Sequence, residues 1–163
     1  SEYTLPEEPI SVNLNVSTVG SAAFRYFHER IRERSNKVTI ELQIVDILSN
    51  MKAFLEVREW LKGQGYRVLI DGLDLLSLPL LDSTRFLADY VKIIWTSELR
   101  STVDDLRASE LRKAVGTLGK DNVILIHVDS EDAIGWAINL GIRRFQGRYV
   151  DRLMEAMKAK GIM

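Results

Sequence analysis

Short apolar segments alternate with helix-length segments along almost the whole chain of 163 residues. The apolar segments are rich in β-branched residues, which is typical of strands in a parallel sheet covered on both faces. They are Ile10–Val16, Val38–Leu42, Arg67–Asp71, Tyr90–Trp95, Val123–Val128 and, more weakly, Ile142–Phe145. A β-then-α order repeated about six times requires right-handed crossovers and predicts an α/β fold with mostly parallel strands.

The segments between these strands carry apolar residues at three- and four-residue steps, the spacing of an amphipathic helix. Phe24, Phe27 and Ile31 follow this pattern, and Gly63 and Gly65 supply a stop signal after the second helix. We predict helices over Ala23–Arg34, Met51–Lys62, Thr102–Leu118, Ser130–Leu140 and Asp151–Lys160.

Two architectures fit this order of elements: an open doubly wound sheet and a (β/α) barrel. A complete barrel of eight units typically needs about 250 residues, so the periodicity alone favours the open sheet. Composition changes sharply nowhere after residue 9. We therefore expect a polar lead-in over residues 1–9 and a single domain over residues 10–163.

The composition excludes several classes of protein. Lys and Arg together number 22 against 23 Asp and Glu, which gives no reason to expect nucleic-acid binding. The chain has no cysteine, and its two histidines do not have metal-ligand spacing. No apolar run approaches the roughly 20 residues needed to span a bilayer, and no signal peptide opens the chain. We expect a cytoplasmic protein without a membrane partner.

Histidine and tryptophan positions allow simpler predictions. His127 lies in an apolar segment and is expected to be a hydrogen-bonded core residue, whereas His28 lies on a charged helix and is expected to be solvated. Trp60, Trp95 and Trp136 fall in different segments, so we do not expect them to form a stacking platform for nucleic-acid bases.

Six segments carry the functional signal, and they follow one another in a fixed order. They are Ile10–Val16 (ISVNLNV), Val38–Leu42 (VTIEL), Gly65–Leu80 (GYRVLIDGLDLLSLPL), Asp89–Ile93 (DYVKI), Val123–Ala133 (VILIHVDSEDA) and Gln146–Tyr149 (QGRY). In that order they resemble the SVNLS, EIT, DDFGTGYSS, DxxKID, AEGVETEEQ and QGY motifs of the EAL family, the bacterial cyclic di-GMP phosphodiesterases. Each motif alone is weak, but the collinear set is not.

This resemblance implies a TIM-like (β/α) barrel, because the family's phosphodiesterases are barrels. The matches begin at what resembles the family's third strand, so the strand bearing Glu-Ala-Leu has no counterpart. We therefore expect an incomplete or modified barrel of about six βα units, with exposed strand edges and part of its apolar lining uncovered. Such surfaces predict self-association or a place at the C-terminal end of a longer protein.

The family hydrolyses its substrate with two divalent cations, Mg²⁺ or Mn²⁺, held by oxygen ligands. By resemblance, three residues match metal ligands, one matches the lysine that orients the catalytic water, one replaces a glutamate conservatively and one matches the glutamine of QGY. In chain order these vestigial positions are Asn13, Glu41, Asp71, Lys92, Asp129 and Gln146. Ordinary strand-end roles, such as capping, are the alternative for the first three.

Other positions of the family's site have lost their chemistry. The second Asp of DDF is Gly72, the Asp of KID is Ile94, and the second Glu of the family's EITE motif is Ile44. The Glu of AEGVE that acts in catalysis falls on Ile126, which cannot accept a proton. Losing a general base typically costs about 10²–10⁴ in rate. We therefore predict no enzymatic activity and no cofactor, with Mg²⁺ or Mn²⁺ needed only if activity is retained.

Two regions are candidates for contact with a ligand or a partner. Asp74, Leu75 and Leu76 replace the glycine-rich family loop, and arginines near the last strand could attract an anion. These arginines are Arg143, Arg144 and Arg148. The favoured hypothesis is a catalytically inactive regulatory or scaffolding module that acts through protein contacts in bacterial signalling. The alternatives are a non-hydrolysing cyclic di-GMP sensor and a residual phosphodiesterase.

Overall fold

The computed structural model describes residues 8–81 and 86–162. Contacts divide the chain into two compact units. Among the described residues, the N-terminal unit comprises residues 8–72 and 86–90, and the C-terminal unit comprises residues 73–81 and 91–162. The polar lead-in lies mostly outside the described residues, and the single domain from residue 10 onwards stays a prediction.

Strands and helices alternate along the chain, which confirms the α/β fold class. The strands are β1 (Ile10–Asn13), β2 (Val38–Gln43), β3 (Arg67–Asp74), β4 (Tyr90–Ile94), β5 (Val123–Ile126) and β6 (Arg144–Phe145). The α-helices are α1 (Val16–Val19), α2 (Ala22–Ile31), α3 (Ile44–Ser49), α4 (Met51–Gly63), α5 (Leu99–Thr102), α6 (Asp105–Leu118), α7 (Glu131–Asn139) and α8 (Arg148–Ala159). In the described ranges, 3₁₀ helices cover Arg32–Lys37 and Leu75–Leu80.

The five helices predicted from periodicity are confirmed as α2, α4, α6, α7 and α8, with ends that differ by a few residues. The short helices α1, α3 and α5 were not predicted, because a single turn or two carries too little periodicity. Strand β3 continues past the predicted end at Asp71, passing through Gly72 to Asp74.

In the N-terminal unit, β1, β2 and β3 are parallel and lie in that order. Ile40 and Leu42 of β2 align with Val68 and Ile70 of β3, and all four side chains are completely buried on one face. The expectation of apolar strands covered on both faces is wrong for this unit. Successive side chains of a strand point to opposite faces of the sheet. On the face opposite this core, the polar residues Ser11, Asn13 and Gln43 are exposed.

An aromatic cluster extends the core of the N-terminal unit. The ring of Phe24 lies 5.8 Å from that of Tyr66 and 6.1 Å from that of Trp60. The predicted solvation of His28 is wrong, because its ring is half-buried with Nδ1 2.9 Å from the Tyr66 hydroxyl. His28 is one helical turn from Phe24 and therefore shares its inward face. Burial raises the pKa of Tyr66 to about 12.

In the C-terminal unit, β4, β5 and β6 are also parallel and lie in that order. Val91 and Ile93 of β4 align with Val123 and Leu125 of β5, and these four residues are buried. The hydroxyl of Ser130 accepts a hydrogen bond from the backbone N–H of Ala133, 3.3 Å away, and caps α7 as its sequence predicts.

Two of the three tryptophans lie together in the C-terminal unit. Trp95, immediately after β4, and Trp136 of α7 have ring centroids 5.2 Å apart. Trp95 is buried, so the pair is a part of the core. Across the described ranges, residues 8–81 and 86–162, every helix is too short or too polar to cross a membrane.

Tyr66 gives a prediction about stability at alkaline pH. Its folded pKa of about 12 lies above the ordinary value of 10.0. The resulting stabilisation is fully present below pH 10.0 and is lost as the pH rises towards 12. In urea titrations, the difference in unfolding free energy between the wild type and Tyr66→Phe should therefore shrink across this range. Tyr26→Phe, at a position 59% exposed, is the control; a difference for Tyr66→Phe that stays constant with pH would contradict the assignment.

Candidate functional site

Polar side chains line the carboxyl ends of the three strands in the N-terminal unit. Asn13 of β1 aligns with Glu41 of β2, and Gln43 of β2 aligns with Asp71 of β3. Because residues two apart in a strand share a face, these four side chains lie on the polar face of the unit. Three of the six predicted vestigial positions are therefore neighbours here.

Hydrogen bonds within this polar face already engage its carboxylates. Ser11 donates its hydroxyl hydrogen to Oε1 of Glu41, a residue 7% exposed. The side-chain amide of Gln43 donates to Oδ2 of Asp71 over 2.6 Å. The other carboxylate oxygen of Asp71 is buried and has no hydrogen-bond partner. One oxygen of each carboxylate thus accepts a hydrogen bond from a neutral donor.

Gly72 is held where an aspartate would not fit without rearrangement. Its φ of +85° lies in the left-handed region that favours glycine. A Cβ added at this position would lie 3.0 Å from Oε1 of Gln43. The amide that binds Asp71 therefore also lies beside Gly72, so a second carboxylate here would strain the backbone and require the exposed Gln43 side chain to move.

These residues do not fit a two-metal centre. Such a centre needs several carboxylates arranged around both ions, at least one of them bridging. Within residues 8–81 and 86–162, no three His, Asp or Glu side chains are grouped so that they could hold a metal ion. We therefore derive no metal-dependent step for this chain.

The C-terminal unit presents a largely hydrocarbon strand face. Ile94 of β4 aligns directly with Ile126 of β5. One step earlier, the half-buried Lys92 aligns with Ile124, which in turn aligns with Arg144 of β6. The two isoleucines that resemblance places at carboxylate positions are thus cross-strand neighbours and form an apolar pair.

Asp129 lies in the loop after β5 and serves the local structure. Its Oδ1 accepts a hydrogen bond from Nε1 of the buried Trp95 over 3.1 Å. It also accepts one from the hydroxyl of Ser130 over 3.0 Å. These two bonds connect the end of β4 to the cap of α7, so this carboxylate has a structural partner on each side.

His127 is not the buried core residue that the sequence predicts. It follows β5, is exposed, and has a φ of +62° in the left-handed region. The apolar run therefore continues at Val128 and not at His127. His127 instead lines a cleft of about 420 Å³ with Asp129, Gly147 and Arg148. A non-glycine residue in the left-handed region is uncommon, although histidine is one of the residue types that adopt it most often.

Gly147 follows Gln146, the last of the predicted vestigial positions, which is exposed. The backbone of Gln146 bonds to Leu125 and Val128 over 2.8 and 3.0 Å. A Cβ on Gly147 would lie 2.4 Å from the backbone N and O of Val128, and its φ is +149°. The Gln-Gly pair therefore has a backbone role: it lets the chain pass against the β5 loop before α8 begins.

The other candidate contact residues differ in exposure. Arg143, Arg144 and Arg148 are exposed, and Arg144 donates to the backbone oxygen of Asp121 over 3.1 Å. Asp74 is also exposed, but its Oδ1 accepts a hydrogen bond from the N–H of Leu76 over 2.7 Å.

Leu76 is half-buried, and Leu75 is completely buried. Leu75 is therefore core, with no surface to offer a ligand or a partner. The 3₁₀ helix that follows Asp74 turns this side chain inwards.

The family is decided by comparison with known sequences. The model of the EAL domain matches residues 2–152 of this chain. The chain belongs to the EAL domain family. No curated protein matches it.

Solved structures of EAL proteins share its fold. BlrP1 of Klebsiella pneumoniae, solved with calcium and cyclic di-GMP, is 23% identical with a TM-score of 0.64, and the match covers 84% of this chain and 36% of BlrP1. LapD of Vibrio cholerae (S helix, GGDEF and EAL), bound to c-di-GMP, is 16% identical with a TM-score of 0.67, covering 90% and 37% of the two chains. An EAL domain protein of Listeria monocytogenes is 21% identical with a TM-score of 0.60, covering 94% and 65%.

This EAL chain therefore spans little more than a third of BlrP1 and LapD. The likeness confirms the predicted fold class, an incomplete TIM-like (β/α) barrel with mostly parallel strands. Sequence reasoning missed Gln43, which lies one residue beyond the matched VTIEL segment, and it missed the role of Trp95. Their signals, a polar residue and an indole at strand ends, are too common to be diagnostic.

The close approach at Gly147 predicts the effect of adding one methyl group. Gly147→Ala should lower the free energy of unfolding by about 1–3 kcal/mol, because the backbone of Val128 must move. The matched control is Gly135→Ala in α7, where a Cβ would meet nothing within 4 Å. That change should stabilise the chain by about 0.5–1 kcal/mol. Urea unfolding of both variants measures the contrast, and equal effects would contradict it.

Proposed function

We propose that this EAL domain does not hydrolyse cyclic di-GMP and acts as a regulatory or scaffolding module through protein contacts in bacterial signalling, in the cytoplasm. The observation that carries this proposal is the hydrogen bond from Gln43 to Asp71 beside Gly72. It uses one oxygen of a candidate ligand and fills the space in which a second carboxylate would stand. A hydrolytic centre that depends on two bridged cations would require this side chain to move and a further carboxylate to be supplied.

The isoleucine pair of the C-terminal unit supports the same proposal independently. Ile126, at the position that resemblance assigns to the catalytic glutamate, aligns with Ile94. Neither side chain can accept or deliver a proton. Losing a general base typically costs about 10²–10⁴ in rate, and the missing metal ligands act on the same site.

Exposed apolar side chains support the role in protein contacts. Val45 and Leu48, three residues apart on α3, are 68% and 60% exposed. In the C-terminal unit, Leu80 and Leu106 are 84% and 72% exposed. Clusters of exposed apolar residues are characteristic of interaction surfaces, although single ones are ordinary.

Incubation of the chain with cyclic di-GMP and Mg²⁺ or Mn²⁺ tests the loss of hydrolysis. We expect no linear dinucleotide product above the rate of a blank without protein, because neither proton transfer nor cation bridging is provided. Lys92→Ala is the matched variant, since Lys92 is the position that resemblance assigns to water orientation. Turnover by the wild type that Lys92→Ala abolishes would contradict the proposal.

A second candidate function is a non-hydrolysing sensor of cyclic di-GMP. The observation that favours it is the cleft lined by His127, Asp129, Gly147 and Arg148, whose exposed guanidinium suits a phosphate. BlrP1 and LapD were both solved with cyclic di-GMP.

Isothermal titration with cyclic di-GMP and Ca²⁺ separates the two candidate functions. A scaffolding module gives no binding heat at micromolar ligand. Micromolar affinity that Arg148→Ala removes, and that the control Arg107→Ala on α6 retains, would establish the sensor instead. Both arginines are exposed in the structure, so neither substitution should disturb the core.

A further inference from the structure

A cleft of about 310 Å³ lies between helices α1, α2 and α4 of the N-terminal unit. Its walls combine apolar side chains with one positive and one negative charge. In chain order, the described lining residues are Val19, Gly20, Arg25, Glu56, Val57 and Trp60. They do not include any of the candidate site residues at the strand ends, so this cleft needs an explanation of its own.

The aromatic wall of the cleft is held in place by the core of the unit. The centroid of the Trp60 ring lies 6.1 Å from that of Phe24 and 4.9 Å from that of His28. The ring of Tyr66 stacks on it at 6.2 Å. Trp60 is half-buried, and its accessible part lines the cleft. Because the ring is already fixed, it loses little conformational entropy when it contacts a ligand.

Gly20 keeps space open at the end of α1. Its φ of −75° and ψ of −5° are right-handed helical values, so the backbone does not require glycine here. A Cβ at this position would lie 3.9 Å from Cγ1 of Val57, an ordinary van der Waals contact. Since a side chain would be tolerated, the consequence of glycine is the room that it leaves for another group to approach the wall.

Arg25 and Glu56 bring opposite charges to the same cleft from two helices, α2 and α4. Both residues are exposed. Across residues 8–81 and 86–162, neither side chain has an ion-pair or hydrogen-bond partner, and they are therefore not paired with each other. A guanidinium favours a carboxylate, and a carboxylate favours an ammonium group. A single ligand that carries both groups satisfies both sides of the cleft.

We propose that this cleft binds a small zwitterion with an apolar side chain, the chemistry of a free amino acid such as leucine. The carboxylate of the ligand pairs with Arg25 and its ammonium group pairs with Glu56, while its side chain packs against Trp60. The volume of about 310 Å³ is at the lower end of the roughly 300–1,000 Å³ typical of small-molecule sites. It therefore favours a ligand the size of one amino acid over a larger one.

Ligands with a single type of charge suit the cleft less well. A phosphate group would be attracted by Arg25 but repelled by Glu56, and an organic cation would meet the reverse arrangement. The free amino end of a peptide would pair with Glu56 but leave Arg25 without a carboxylate. The two opposite charges thus select a zwitterion.

Nuclear magnetic resonance of the ¹⁵N-labelled 163-residue chain, titrated with L-leucine to millimolar concentrations, tests the site. We expect saturable shifts at the indole N–H of Trp60 and the amide of Gly20, because both residues line the cleft. The indole N–H groups of Trp95 and Trp136, in the C-terminal unit, are internal controls and should not shift.

Two analogues of leucine test the two charges separately. L-Leucinamide lacks the carboxylate, and N-acetyl-L-leucine lacks the ammonium group. Each should bind about five- to tenfold more weakly than leucine, because each loses one charge-assisted contact at an exposed site.

Neutral variants assign each contact to its residue. In Arg25→Gln, leucine and leucinamide should bind equally, because the carboxylate has lost its partner. In Glu56→Gln, leucine and N-acetyl-leucine should bind equally for the corresponding reason. Arg32→Gln and Glu33→Gln are the matched controls: both residues are exposed in the same unit outside the cleft, so the wild-type preference for leucine should remain.

Filling the cleft tests its location without changing a charge. Gly20→Leu should abolish the binding of leucine, since its side chain extends into the space beside Val57. Gly63→Leu is the matched control, because a Cβ there would meet nothing within 4 Å and Gly63 does not line the cleft. Circular dichroism checks that each variant folds.

Three results would overturn the inference. They are the absence of saturable shifts at Trp60 and Gly20, equal affinities of the wild type for leucine and both analogues, and binding that Gly20→Leu leaves unchanged. An analogue that binds as tightly as leucine would assign the cleft to a ligand with one charge, such as the end of a peptide. The inference does not rest on the loss of hydrolysis, because the binding of leucine and the turnover of cyclic di-GMP are measured separately.

Discussion

The hydrogen bond between the Gln43 amide and the Asp71 carboxylate is the contact on which the functional account depends. It spans neighbouring strands at their carboxyl ends, where parallel α/β folds place their chemistry. The contact gives one oxygen of the Asp71 carboxylate a neutral donor and places the Gln43 amide beside Gly72, while the other oxygen stays buried without a hydrogen-bond partner.

The core residues and the candidate site residues of the N-terminal unit lie on opposite faces of the strands. The core of the N-terminal unit is built from residues such as Ile40 and Val68. A residue that replaces a carboxylate on the opposite face of the strands does not change the packing of these side chains. In the C-terminal unit, Ile94 and Ile126, which resemblance assigns to two carboxylate positions, form an apolar pair.

Periodicity predicts the long elements well, because helices such as α4 and α6 repeat their apolar residues over several turns. The order of six weak motifs predicts the family, since a collinear set is far more specific than its members. The site is predicted less well. Gln43 lies outside the matched motifs, and the left-handed turn at His127 is hidden in an apolar run. Leu75 is buried because a 3₁₀ helix turns it inwards, and that turn has no strong sequence signal. Amphipathicity predicts α8 as a helix but not that residues 151–160 are all exposed.

Electron paramagnetic resonance of Mn²⁺ titrated into the chain tests most directly whether Gln43 and Gly72 have closed the metal centre. The signal of hexaaqua Mn²⁺ is lost when the ion binds protein ligands, and two adjacent ions give a distinct exchange-coupled spectrum. We expect the free-ion signal to grow in proportion to added Mn²⁺ at micromolar concentrations. Two ions bound per chain with a coupled spectrum would show that the site is intact, and the account given above would be wrong.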